Sequence, residues 1–237
     1  MTTPQRLHSL DNLRASMMWL GIVVHVAAIH LTGESPLVWR DTATSPLADL
    51  LLAFIHVFRM PVFFIVAGFF VAMLVQRRGM AGMLRHRFQR IALPFLLLWP
   101  PILVLTVTMV LLFVHRMARG SWGLDPGLIP PMDGKPRLNT LHLWFVYLLW
   151  WFAVATALAS WLAQRLPPAW ASAVPRLMRQ LGARWWGFVP LTLPLVLAGA
   201  GYRNGILAPV GSLLPPPAEW LHNGMFFLFG WALFAGR

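Results

Sequence analysis

Long apolar stretches constrain what this chain can fold into more than any other feature. Of its 237 residues, 58% are hydrophobic and only 11% are charged, which is outside the range of an ordinary soluble domain. A helix needs roughly 20 apolar residues to cross a bilayer. Six stretches approach or exceed that length: 13–32, 47–75, 91–115, 141–163, 187–202 and 220–235. The sequence therefore predicts an all-α, polytopic transmembrane helix bundle of about six spans, forming a single domain over residues 1–237.

The basic residues predict how the bundle is oriented. The formal net charge is +12, but the positive residues lie between the apolar stretches, so we expect contact with the lipid bilayer and no nucleic-acid partner. With a cytoplasmic N-terminus, the inside segments carry 12 Lys and Arg residues and the outside segments carry 6. Because cytoplasmic segments are enriched in these residues, the N-terminus is predicted to be cytoplasmic.

The absence of cysteine narrows the chemistry. A chain without cysteine has no disulfide framework, no thiolate nucleophile and no cysteine-ligated metal. Its eight histidines show no tight spacing with acidic residues, so no metal site is expected. Nucleotide-binding glycine motifs are also absent.

Two ionisable residues stand out in the first apolar stretch. Arg14 and His25 are eleven residues apart, which is three helical turns plus roughly 20°, so both project from one face of a helix, as does Asp11. A buried imidazole is the usual proton acceptor near neutral pH, whereas an arginine holds an anion or pairs with a carboxylate. The alternatives are that His25 only forms a hydrogen bond between helices and that Arg14 is an ordinary cytoplasmic anchor.

The second apolar stretch contains a further polar pair. His56 and Arg59 are three residues apart and share a helix face. Because an arginine is costly in lipid, we expect Arg59 to face a polar cavity or to pair within the bundle. Pro61 predicts a kink or break near Arg59. The small residue Gly68 is interpreted as a helix-packing position.

A cluster of arginines follows this stretch, in the segment QRRGMAGMLRHRFQRIALP. Arg85, Arg87 and Arg90 are suited to the phosphates of an anionic cofactor, and equally to a topology signal or to contact with anionic lipid. His142 lies at the outer mouth of the fourth stretch. His56 and His142 are further candidates for contacts with substrate.

Four segments, taken in order, carry a family resemblance. They are LDNLRASMMWLGIVVH, FIHVFRMPVFFIVAGFF, RHRFQRIALP and HLWFVYLL. The chain resembles the acyltransferase-3 family of membrane O-acyltransferases from about residue 6 to its end, through NGMFFLFGWALFAG. Within the family it is most similar to the members that succinylate osmoregulated periplasmic glucans.

The resemblance implies a reaction and roles for several residues. Members move an acyl group, succinyl or acetyl, from a cytoplasmic donor, typically acyl-CoA, to a sugar hydroxyl outside the inner membrane. By position, His25 matches the essential histidine of the family and Arg14 its partner arginine. Basic residues near the donor are matched by Arg59, Arg85, Arg87 and Arg90. The expected partners are thus the acyl donor and a periplasmic glucan or other glycan, and no other cofactor is expected.

Two alternatives remain open from the sequence. A transporter or channel uses buried His and Arg in the same way, although the repeats typical of transporters are not visible here. Family members have about ten spans, so the resemblance also implies a truncated chain, an inactive remnant, or a protein whose C-terminal half is encoded separately.

Overall fold

The computed structural model is helical throughout the regular structure that it describes. It describes residues 8–33, 40–128, 139–167, 173–200 and 211–236. The α-helices in these ranges are α1 (His8–Ala28), α2 (Pro46–Arg87), α3 (Leu93–Arg119), α4 (Trp144–Ala163), α5 (Ala173–Gly182), α6 (Val189–Ala200) and α7 (Pro217–Ala235). The π-helical segment Phe88–Ala92 joins α2 to α3, and two short 3-10 turns are Pro126–Leu128 and Leu141–Leu143. This architecture confirms the predicted all-α class.

Each of the six predicted apolar stretches contains a helix. Within the described ranges, the helical stretches Pro46–Arg119 and Leu141–Ala163 are long and apolar enough to cross a membrane. In contrast, α6 has 12 residues and is about 18 Å long, and it adjoins residues 201–210, which lie outside the described ranges.

The chain reverses direction at Gly79, inside α2. Gly79 has φ 68° and ψ 177°, in a region of backbone space that essentially only glycine occupies. Phe64 contacts Phe152 with ring centroids 5.7 Å apart, and Phe88 contacts Trp150 at 5.8 Å. In one straight helix Phe64 and Phe88 would be about 36 Å apart, so both cannot reach neighbouring residues of α4 unless α2 folds back.

The predicted break at Pro61 is absent, because helical dihedral angles continue through Pro61, and the non-helical residue inside α2 is Gly79. A kink at Pro61 stays a prediction. A proline costs a helix one hydrogen bond and some steric strain. Within α2, packing against α1, α4 and α7 holds the helix together across that defect.

The core forms where α2 meets α4 and α7. Its most deeply buried side chains are Phe64, Val71, Met83, Leu148, Phe152, Ala153 and Phe227. Gly68 and Gly230 let α2 and α7 approach until backbone touches backbone: a Cβ on Gly68 would overlap the carbonyl oxygen of Phe227, and one on Gly230 would overlap that of Ile65. The interpretation of Gly68 as a packing position is confirmed.

The segment between α1 and α2 connects the end of α1 to the start of α2 by hydrogen bonds. Thr32 donates its Oγ1 hydroxyl to Asp49 Oδ2 at 2.6 Å. His30, which follows α1, places its Nδ1 2.8 Å from the carbonyl oxygen of Ala43. These contacts keep His30 in the connecting segment and fix α1 beside the first half of α2.

Candidate functional site

The side chain of Arg59, a residue of α2, lies in the interface between α2 and α1. Its Nε donates a hydrogen bond of 3.0 Å to the carbonyl oxygen of Met17 across the helix interface. The guanidinium also lies over the ring of Phe63, 5.8 Å from the ring centroid. Within the described ranges Arg59 forms no ion pair, so its charge is not neutralised by a carboxylate there.

Gly21 provides the space that Arg59 occupies. Gly21 is buried, and a Cβ built on it would overlap Nη2 of Arg59 and would lie 2.7 Å from its Cζ. Met17, Gly21 and His25 are spaced four residues apart, so they follow one another along the same face of α1. The guanidinium therefore lies about one helical turn before His25.

Sequence reasoning did not identify Gly21. The available signal was a single glycine in the middle of an apolar helix, four residues before the candidate histidine, where glycine disfavours the helix. The contact itself depends on a side chain 38 positions away in the sequence, which no local pattern reveals.

Two histidines interact with Arg59, and a third interacts with one of them. His25 interacts electrostatically with Arg59 and with His142, and His56 interacts with Arg59. No hydrogen bond within the described part of the chain holds any of these three imidazoles, and all three are exposed in the folded chain. Their ring nitrogens are therefore available to a ligand. An unbound imidazole next to a guanidinium can take a proton from a hydroxyl while the guanidinium holds an anionic oxygen.

A second group of cations lies at the other end of α1. Arg14 pairs with Asp11 at 3.8 Å, and its guanidinium lies 5.6 Å from the centroid of Phe70 on α2. Because α2 folds back at Gly79, it also brings Arg87 close enough for electrostatic interaction with Arg14. The Nε of Arg87 is buried and has no hydrogen-bond partner among the described residues.

The fold separates the three arginines of the predicted cluster, Arg85, Arg87 and Arg90. Arg87 is half-buried beside Arg14, whereas Arg85 and Arg90 are exposed. The π-helical segment begins directly after Arg87 and contains Arg90. Such segments are frequent at functional sites. The structure therefore brings one of these three arginines next to Arg14, while donor binding by all three stays a prediction.

His142 is held by an unusual backbone segment. Leu141, directly before it, has φ 52°, the one non-glycine residue with positive φ in the described ranges. Thr140 is fully buried and donates to the carbonyl oxygen of Gly211 twice, from its amide at 2.6 Å and from Oγ1 at 3.0 Å. The hydroxyl of Tyr147 donates to the carbonyl oxygen of Leu213 at 2.6 Å. These bonds fix the segment from which His142 projects.

The residues that the structure describes contain no group of side chains that could bind a metal ion. No three His, Asp or Glu side chains lie close enough there to hold an ion. The chemistry that the site offers is that of imidazoles and guanidinium groups.

Comparisons with known proteins concern the chain as a whole and not its single residues. A family model described as an acyltransferase domain matches residues 7–237. The chain is 30% identical over 230 residues to proteins named glucans biosynthesis protein C from Shigella dysenteriae serotype 1 and from Escherichia coli O1:K1. These alignments cover 94% of this chain and 53% of each relative, so the chain spans about half the length of the curated relatives it matches. No solved structure matches.

Proposed function

Because this chain belongs to the family described by the acyltransferase domain, we propose that it is a membrane O-acyltransferase. The proposed reaction moves an acyl group, succinyl or acetyl, from a cytoplasmic acyl-CoA donor to a hydroxyl of a periplasmic glucan or other glycan. The relatives named glucans biosynthesis protein C favour a glucan as acceptor.

The observation that carries this proposal is the order of charged groups along α1. Arg14 and Arg87 lie near the first half of α1, Arg59 lies beside Met17 and Gly21, and His25 follows one turn later. Guanidinium groups are suited to the phosphates of CoA, and an imidazole is suited to a hydroxyl nucleophile. The order supports a donor that enters from the Arg14 end and an acceptor that meets it at His25.

The proposed chemical step is a thioester-to-ester exchange. His25 takes the proton of the glycan hydroxyl as its oxygen attacks the acyl carbonyl, so a carbon–oxygen bond forms and the carbon–sulfur bond breaks. The proton then passes to the departing CoA sulfur. Arg59 stabilises the negative charge that develops on the carbonyl oxygen. An equivalent overall result follows if His25 first receives the acyl group and then passes it on.

The proposed location is the inner membrane with a cytoplasmic N-terminus. The excess of basic residues in the predicted inside segments supports this orientation. It also puts Arg14 on the side where acyl-CoA is present, which is what the proposed reaction requires.

The test measures acyl groups on periplasmic glucan in cells that lack their own glucan acyltransferase. The chain is expressed alone and also with any in-frame continuation of its gene, as parent, His25→Ala and His8→Ala forms at matched membrane levels. His8 is exposed at the start of α1, away from Arg59, and serves as the control. We expect incorporation from the parent and from His8→Ala, and none from His25→Ala. Incorporation that persists in His25→Ala would refute the role of His25. Its absence from every form of the parent, across succinyl and acetyl donors, would refute the proposed reaction.

A further inference from the structure

We infer that Gly21 is a positioning residue of this site: its missing side chain forms the recess in α1 that holds the Arg59 guanidinium one helical turn from His25. The role of Gly21 in the reaction rests on the proposed function, whereas the contact between Gly21 and Arg59 does not.

The recess is specific to glycine. A Cβ on Gly21 would overlap Nη2 of Arg59, and would lie 2.7 Å from Cζ and 3.2 Å from Nε. Even the smallest other side chain, a methyl group, thus meets three atoms of the guanidinium group at once. Real Cβ atoms essentially never lie below 3.0 Å from a neighbour, so the guanidinium has to shift if alanine replaces Gly21, and because it is the end of a flexible side chain the shift itself costs little.

Arg59 is held in the recess from two sides. Its Nε donates to the Met17 carbonyl oxygen, which has a second lone pair and so also accepts the helical bond of α1. The ring of Phe63 lies under the guanidinium, 5.8 Å away. The overlap makes the methyl group and the native position of Arg59 mutually exclusive, and movement of the guanidinium away from α1 weakens its hydrogen bond to Met17.

This placement leaves the terminal nitrogens of Arg59 for a ligand. Nε is used by Met17, and the described residues supply no carboxylate to the remaining N–H groups. A guanidinium with two free nitrogens binds an anionic oxygen in a fixed geometry. Since Gly21 and His25 are one turn apart, that oxygen lies next to the imidazole, where the proposed reaction develops negative charge.

The structural test is a double-mutant cycle on thermal stability in detergent. Alanine favours a helix more than glycine does, so Gly21→Ala alone is expected to raise the melting temperature if the space is empty. Because the space is filled by Arg59, we expect Gly21→Ala to raise the melting temperature in an Arg59→Ala background and to give a smaller rise, or a fall, in the parent. Gly224→Ala is the matched control, since its Cβ would meet the Phe152 ring at an ordinary 3.5 Å, and its effect should be equal in both backgrounds.

The functional test uses the same variants in the glycan acylation assay. A displaced catalytic group lowers turnover strongly, so we expect Gly21→Ala to reduce kcat roughly 10- to 100-fold, with little change in KM for the glycan. Adding Arg59→Ala to Gly21→Ala should then cause less than about a twofold further loss, because the guanidinium has already left its position. Gly224→Ala should keep the parent rate.

The outcomes separate this inference from the proposed function. If Gly21→Ala changes the melting temperature equally in both backgrounds, the recess does not exist and the inference fails, whether or not the chain is active. If the two changes differ as expected but kcat is unchanged in an active parent, Gly21 has only a packing role and the positioning inference fails. An inactive parent with the expected difference would refute the acyltransferase proposal and the catalytic meaning of the recess together.

Discussion

Substitution of Gly68 by alanine should separate α2 from α7. A Cβ on Gly68 would overlap the carbonyl oxygen of Phe227 and would lie 2.8 Å from its carbonyl carbon and 3.1 Å from the amide nitrogen of Trp231. All three atoms belong to the backbone of α7, so no side-chain rotation relieves the overlap. Ordinary contact begins at 3.4 Å, so the carbonyl carbon alone requires the helices to move apart by about 0.6 Å, and the closer carbonyl oxygen requires a larger movement.

The expected cost follows from two opposing effects. Overpacking a well-packed core costs about 1–3 kcal/mol, and the movement also loosens the buried cluster around Phe64 and Phe227. Replacing glycine by alanine in a helix returns about 1 kcal/mol. Because the overlap is with backbone atoms, which no rotamer change moves away, the larger overpacking values apply and the net loss is about 2 kcal/mol, equivalent to a fall in melting temperature of roughly 4–8 °C for a chain of this size.

Thermal unfolding in detergent measures this loss, with Gly224→Ala as the control on α7 itself. Gly230→Ala should behave like Gly68→Ala, because its Cβ would overlap the carbonyl oxygen of Ile65. The double variant should lose less than the sum of the two, since one separation of the helices relieves both overlaps. A Gly68→Ala protein that melts at or above the parent temperature would show that the backbones do not touch and would refute the packing described here.

Two further substitutions test the turn at Gly79 and the segment that contains Thr140. Gly79→Ala should lower the free energy of unfolding, measured in urea, by about 1–3 kcal/mol. The loss comes from backbone strain alone, since nothing lies within 4 Å of the Cβ position of Gly79. Gly33→Ala should show no such loss, because Gly33 has equal space and no positive φ. Thr140→Val removes the Oγ1 bond to Gly211 and should cost about 1 kcal/mol by the same measurement, and amide hydrogen exchange at Leu141 should become faster. Exchange at Leu141 that matches the parent would contradict the view that Thr140 fixes this segment.

The helices were predictable from the sequence because membrane spans are recognised by length and apolarity. These are local properties, and each of the six apolar stretches does contain a helix. The turn at Gly79 was not predicted, since Pro61 is the stronger local signal for an interruption. Packing on three sides of α2 outweighs the cost of Pro61, whereas Gly79 lies outside that packing, in an exposed position next to Arg78.

The candidate site was predictable in its residue types and only partly in its geometry. The eleven-residue spacing of Arg14 and His25 holds because α1 is continuous from His8 to Ala28. The position of Arg59 between them depends on how α2 packs against α1, and that packing depends on Gly21. Arg87 reaches Arg14 only because α2 reverses at Gly79. Contacts between distant parts of the chain produce no periodic pattern, so they could not be predicted from a single sequence.

The reversal at Gly79 and the recess at Gly21 together explain how an apolar bundle holds several arginines. An arginine inside a membrane protein needs acceptors, aromatic faces or a polar cavity. Arg59 has a carbonyl oxygen and the Phe63 ring, and Arg14 has Asp11 and the Phe70 ring. Of these partners only Asp11 carries a negative charge, so no carboxylate neutralises Arg59 within the described residues. A bundle that holds such a cation is stabilised by binding an anion, which is compatible with the proposed acyl-CoA donor and its phosphates.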